Sequence, residues 1–145
     1  MAKFEIIVGS VLGASEYVAD ALQELLLSHT HNAEIYLTPQ LIDLDQTAIW
    51  IICTSTHGAG DLPDNIQPFA EQLKNLNLPN HCFLVVGLGD SNYDTYCHAS
   101  IQIENIMLST GAKLLSPALH IDVVSHPIPE DAAVKWLKDW LKNNE

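Results

Sequence analysis

The chain has 145 residues, the size of one domain, and its 18 acidic against 6 basic side chains give a formal net charge of −12. All six basic residues are lysines, and a chain without arginine or a basic stripe is poorly made for nucleic acid; the acid excess serves solubility or meets a basic protein partner. No apolar stretch is long enough to span a bilayer, the opening Met1-Ala2-Lys3-Phe4-Glu5 lacks the regions of a signal peptide, and Cys53, Cys82 and Cys97 are never spaced Cys-x-x-Cys. The expected setting is one cytoplasmic domain, residues 1–145, with reduced thiols.

Phe4 to Val8 is apolar and rich in β-branched residues, which suits a strand buried on both faces. Gly9-Ser10-Val11-Leu12-Gly13-Ala14-Ser15 follows. A helix comes next, with Val18, Leu22, Leu25 and Leu26 on one face and Glu16, Asp20, Gln23 and Glu24 on the other. A strand, a Gly and hydroxyl turn, then a helix leaves the helix's first N–H groups and its positive end free, as in a phosphate site. The Ser10 and Ser15 hydroxyls and the loop amides supply hydrogen bonds with no basic residue. The loop lacks the Gly-Lys-Ser/Thr end of a P-loop and the Gly-x-Gly-x-x-Gly fingerprint, so it would hold a phosphate without activating it. An ordinary tight turn, with Gly13 supplying conformational freedom and Ser15 capping the helix, fits the same residues.

Ala33 to Leu37 reads as a second strand, and Thr38 to Thr47, which contains Pro39, leaves space for a turn or a stub of helix. Ala48 to Thr54 is a central strand by length and β-branched content, and turn-forming Ser55 to Pro63 follows it. Asp64 or Asn65 is the expected cap of a helix whose Ile66, Phe69, Ala70 and Leu73 share a face, with Pro68 tolerated in its first turn. Cys82 to Leu88 is another buried strand, ending in the turn-rich Gly89-Asp90-Ser91-Asn92-Tyr93-Asp94. A helix from Cys97 to Thr110 turns Ile103, Ile106 and Met107 inward and stops at Gly111; Lys113 to Val123 contains a fifth strand. The last helix, Glu130 to Lys142, aligns Ala133, Trp136, Leu137, Trp140 and Leu141, with acids early and lysines late. Alternating strands and helices predict an α/β fold with a doubly wound, five-stranded parallel sheet of order 2-1-3-4-5. Ligand chemistry belongs in the loops beyond the carboxyl ends of its strands.

Other constellations are weak. Of seven histidines only His29-x-His31 are close in sequence, and no carboxylate or cysteine pattern joins them, so no metal site is expected. Ser55, His57 and Asp61 lie in one loop without Gly-x-Ser-x-Gly, and no catalytic residue is assigned. Cys97 approaches a ligand as part of the third loop or simply starts a helix; no lysine beside it lowers its pKa.

Taken together, Gly9-Ser10-x-x-Gly13-x-Ser15-Glu16, Ser55-Thr56-His57-Gly58-Ala59-Gly60-Asp61-x-Pro63-Asp64-Asn65 and Gly87-Leu88-Gly89-Asp90-Ser91-x-Tyr93 resemble the FMN site of the flavodoxin family. The match covers nearly the whole chain, and the short length resembles the family's MioC group. The resemblance implies FMN as cofactor, with Ser10, Val11, Leu12, Gly13, Ala14 and Ser15 at its phosphate. Around the ring it implies Ser55, Thr56, His57 and Gly58 from the second loop, and Leu88, Gly89, Asp90, Tyr93 and Cys97 from the third. Tyr93 matches the family tyrosine that stacks on one flavin face, and His57 stands where an aromatic often covers the other. Leu12 and Ala14 stand where threonines are common. The Gly58 peptide would change its hydrogen bonding near flavin N5 with redox state, and Asp61, Asp64, Asp90 and Asp94 would make the reduced flavin a stronger donor.

The implied function is one-electron carriage between a basic-surfaced flavoprotein reductase and an acceptor enzyme, by a monomer or weak dimer. Biotin synthesis is the role associated with the MioC group. A non-redox module that binds FMN or another phosphate ligand for sensing is the alternative.

Overall fold

The apolar runs and the amphipathic stretches between them alternate along a single sheet. The computed structural model describes residues 2–10, 13–56 and 60–144. Its strands are β1 (Lys3–Gly9), β2 (Asn32–Tyr36), β3 (Ile49–Ser55), β4 (Cys82–Gly89), β5 (Lys113–Leu114) and β6 (Leu119–Asp122). The helices are α1 (Ala14–Ser28), α2 (Gln67–Leu73), α3 (His98–Ser109) and α4 (Pro129–Asn144), with short 3-10 turns at Leu41–Asp43 and Asp64–Ile66. All pairings are parallel, in the order β2-β1-β3-β4-β5, and β6 also pairs with β4.

The expected fifth strand is therefore present as two pieces on one edge of β4. Lys113 and Leu114 pair with Cys82 and Phe83, whereas Leu119 pairs with Val86. Residues 115–118 thus run opposite Leu84 and Val85 alone and must bulge. Pro117 explains the break, because it has no N–H to give the ladder.

Side-chain alternation along the central strands splits the core into two layers. Phe4, Ile6, Val8, Ile51 and Cys53 pack with Val18, Ala19, Leu22 and Leu26 of α1 and Ala133, Leu137 and Leu141 of α4. On the other face Ile7, Trp50, Ile52 and Val85 pack with Phe69 and Leu73 of α2 and Ile103 and Met107 of α3. The helical stripes read from sequence are the buried ones, with Leu25, Ile106, Trp136 and Trp140 at their margins.

One residue departs from the apolar reading of the first strand: Glu5 is fully buried. Its Oε1 accepts from the Asp45 amide at 2.8 Å and from Trp50 Nε1–H at 3.0 Å, and its Oε2 accepts from the Tyr36 hydroxyl at 2.9 Å. Lys3 Nζ stands 4.0 Å away. These bonds offset the cost of several kcal/mol that an unpaired buried carboxylate would carry.

The register places the carboxyl ends of the central strands level with one another. Gly9 pairs with Thr54, and Ser55 pairs with Leu88. The three loops singled out in the sequence therefore leave neighbouring strands at one edge of the sheet.

Candidate functional site

Gly13, the N-cap of α1, carries φ 92°, a left-handed turn for which glycine is suited. No side chain caps this helix, so Ser15 is not its cap. Its hydroxyl is buried and donates back to the Gly9 carbonyl at 2.6 Å, which fixes α1 against the end of β1. The Ser10 hydroxyl accepts the Gly13 N–H at 3.0 Å and donates to Glu16 Oε2 at 3.0 Å. Ala14 opens α1 and packs at the edge of the core. Val11 and Leu12 lie outside the described residues, as do His57 and Gly58.

Asn65 has a different job from the capping role its type suggests. Neither it nor Asp64 caps α2: the N-cap there is Ile66, without a side-chain bond. The Asn65 side chain instead donates to Val8 O at 2.6 Å and Leu37 O at 2.8 Å, and its Oδ1 accepts the Ser10 N–H at 3.0 Å. It thereby stitches the start of the loop after β1 to the second loop. Asx chemistry near a predicted helix start was the visible signal, but the partners lie 28 to 57 residues away in sequence.

The second loop also holds the third. Thr56 Oγ1 accepts the Ala99 N–H at 3.3 Å, so it serves the start of α3, whose own N-cap residue, Cys97, contributes no side-chain bond. Ser55 Oγ reaches the Gly9 carbonyl at 3.5 Å. Leu88 is buried beneath the edge. Cys97 is buried too, in the left-handed region at φ 54°, and a Cβ on Gly89 would come within 2.8 Å of its backbone nitrogen and 2.9 Å of its sulfur. Only glycine at position 89 permits that approach. Burial pushes the Cys97 thiol up to about 11, so it stays protonated at neutral pH.

The third loop is built on Asp90, whose Oδ1 accepts the Asn92 N–H at 2.8 Å, and on the turn closed by Tyr93 N–H to Asp90 O at 3.1 Å. This turn presents the Tyr93 ring at 64% exposure. Asp122, not singled out in the sequence, buttresses it from the end of β6: its Oδ1 accepts the Ser91 and Val124 amides at 3.2 and 3.1 Å. Hydrogen bonding from Ser91 first, and from Val124, holds the Asp122 carboxyl below the usual range. Asp61, Asp64 and Asp94 are exposed around the same mouth, and Asp90 is half-buried.

No group of His, Cys, Asp and Glu able to hold a metal forms among the described residues. His31 Nδ1 accepts the Ala2 N–H at 2.9 Å, and its ring packs edge-on against Phe4. No helix of the described residues is long and apolar enough to cross a membrane.

Order 2-1-3-4-5 with loops converging at this edge is one half of the identification; comparison of sequences supplies the other. The Flavodoxin family profile matches residues 6–136. The chain belongs to the flavodoxin family. This flavodoxin is 41% identical to Protein MioC of Escherichia coli (strain K12) over 143 residues, 97% of either chain. It is 37% identical to Protein MioC homolog of Haemophilus influenzae over 139 residues, 94% of this chain and 95% of that one. Among solved structures, a cysteine-to-alanine mutant of flavodoxin from Pseudomonas aeruginosa superposes with a TM-score of 0.85 at 32% identity, covering 95% of each chain. As a flavodoxin, the chain is an FMN-binding electron carrier.

Proposed function

We propose that this flavodoxin takes electrons from a flavoprotein reductase and delivers them singly to an acceptor enzyme in the cytoplasm. Its likeness to MioC proteins supports an acceptor in biotin synthesis. In this reading residues 10–15 receive the FMN phosphate, residues 55–58 flank the ring, and Leu88, Gly89, Asp90, Tyr93 and Cys97 form its other wall.

FMN supplies the redox chemistry when bound, and the chain's part is to seat, shield and tune it. The residues present suit that ligand. The α1 amino end, with the Ser10 hydroxyl beside a left-handed Gly13, lies at the same sheet edge as an exposed tyrosine face. The carboxylates at the mouth disfavour added negative charge on the flavin and attract a basic partner surface. Tyr93, presented to solvent by the Asp90 turn at the end of β4, is the observation that carries the reading.

Heat release and mass determination of the ligand test it. One FMN per chain is expected, with riboflavin binding more weakly because it leaves the loop without its anion. Stoichiometric FAD, or equal affinity for riboflavin, would contradict the assignment.

A further inference from the structure

Four of the groups that residue type assigns to a phosphate, the Ser10 and Ser15 hydroxyls and the Ser10 and Gly13 amides, are committed to partners inside the protein. A hydroxyl has one proton to donate. That of Ser15 goes to the Gly9 carbonyl, and that of Ser10 goes to Glu16 Oε2 at 3.0 Å. The Ser10 amide is taken by Asn65 Oδ1, and the Gly13 amide by the Ser10 hydroxyl. Three of these four acceptors are neutral groups, and only Glu16 is a carboxylate. It also lies over the turn itself, since a Cβ on Gly13 would sit 3.9 Å from its Oε2. Its place in the first turn of α1 is where the helix's positive end favours an anion.

We infer that Glu16 is a resident anion of the phosphate loop, a specificity-setting residue that the incoming phosphate must displace from the Ser10 hydroxyl. The inference rests on the FMN reading above. Ser10 cannot give its one proton to two anions at once. No lysine occurs in any of the three loops to neutralise a carboxylate and a phosphate together. Glu16 therefore opposes the phosphate electrostatically and competes with it for a donor, and the cofactor remains exchangeable. Riboflavin, which has the ring and ribityl chain without the phosphate, makes no such demand on Ser10.

Flavin-free full-length protein, titrated with FMN and with riboflavin by flavin fluorescence, tests this in the wild type, Glu16→Gln and Glu16→Ala. Thermal melting checks that each variant is folded. Glutamine keeps the shape and offers its amide N–H to Ser10 Oγ, which frees the serine proton. In Glu16→Gln the FMN dissociation constant should fall by about tenfold, the scale of one charge-assisted hydrogen bond, with riboflavin changed by less than about twofold. Glu16→Ala should move the ratio of the two constants in the same direction. A ratio unchanged or shifted toward riboflavin in the folded variants would overturn the role of Glu16, and if alanine unfolds the chain the glutamine result decides. Failure of the FMN reading looks different: the wild type itself would show no preference for FMN over riboflavin.

Discussion

Asn65 holds Ser10 from across the site, its Oδ1 accepting the Ser10 N–H at 3.0 Å while its Nδ2 binds carbonyls at the ends of β1 and β2. Asn65→Ala should cost about 1–3 kcal/mol of stability and weaken FMN binding, because it removes three hydrogen bonds and frees the first residue of the loop proposed to receive the phosphate. Asn65→Asp should be worse than alanine at neutral pH, since it turns an anionic oxygen toward the Val8 and Leu37 carbonyls. Urea unfolding and flavin titration measure both effects. An aspartate variant as stable as wild type would contradict the assigned orientation of the amide.

Tyr93 should contribute to ligand binding and little to folding. The ring is 64% exposed, so truncation opens no cavity in the core. Tyr93→Ala is expected to weaken FMN by about 1–3 kcal/mol, on the scale of aromatic stacking with bases. Its melting temperature without flavin should match that of wild type, and His57→Ala should cost less affinity. The opposite order of the two dissociation constants would reverse the roles assigned to the two faces.

How much of this was legible in the chain differs by element. The strands and the helical stripes follow from periodicity, because burial of Val18, Leu22 and Leu26 or of Ala133, Leu137 and Leu141 is imposed by helical spacing. The three loops were legible because turn chemistry and topology place them at one edge of the sheet. What was not legible is which donor meets which acceptor. Ser15 and Asn65 have the residue types of helix caps, yet both bind carbonyls at the end of β1. Glu5 sits in an apolar run and is tolerated because Trp50 and Asp45, 45 and 40 residues on, turn their N–H groups to it and Tyr36, 31 residues on, gives it a hydroxyl proton. Asp122 supports the Tyr93 loop from 31 residues beyond Ser91. Long-range hydrogen bonds of this kind leave no local period in the sequence.

His81 should give folding stability a pH dependence. Its ring is buried, packs 3.9 Å from Trp50 between centroids, and donates from Nε2 to the Ala48 carbonyl at 3.1 Å. Nδ1 has no hydrogen-bond partner among the described residues. Burial lowers its pKa against the opposing pull of the Ala48 hydrogen bond and the Glu5 and Asp45 charges. The folded state thus holds His81 neutral, while the unfolded chain takes up a proton below about pH 6.5. Its contribution to stability is full above that pH and is lost as pH falls toward the folded pKa. Between about pH 7.5 and 5.5 the wild type should lose more stability in urea unfolding than His81→Gln, which keeps a donor for Ala48. Parallel pH profiles would contradict the buried neutral imidazole.

Docking should depend on the acidic mouth. Asp61 and Asp94 are exposed, and replacing both with asparagine should slow reduction by a basic flavoprotein reductase about two- to tenfold at low salt. FMN affinity should stay within about twofold, because rim charges act mainly on association. At physiological ionic strength the Debye length of about 8 Å brings the two proteins' rates together. Stopped-flow reduction over a salt series measures this. A flat rate in both proteins would mean that the contact is apolar, around the exposed Tyr93.

Electron carriage itself is tested most directly by following the absorbance of the purified protein through stepwise reduction at controlled potential. FMN held in this site should take up its electrons in two separate one-electron steps, each reversible and spectrally distinct. A single two-electron step, or a colourless protein that retains some other phosphate ester, would contradict the assignment of this flavodoxin as a one-electron carrier.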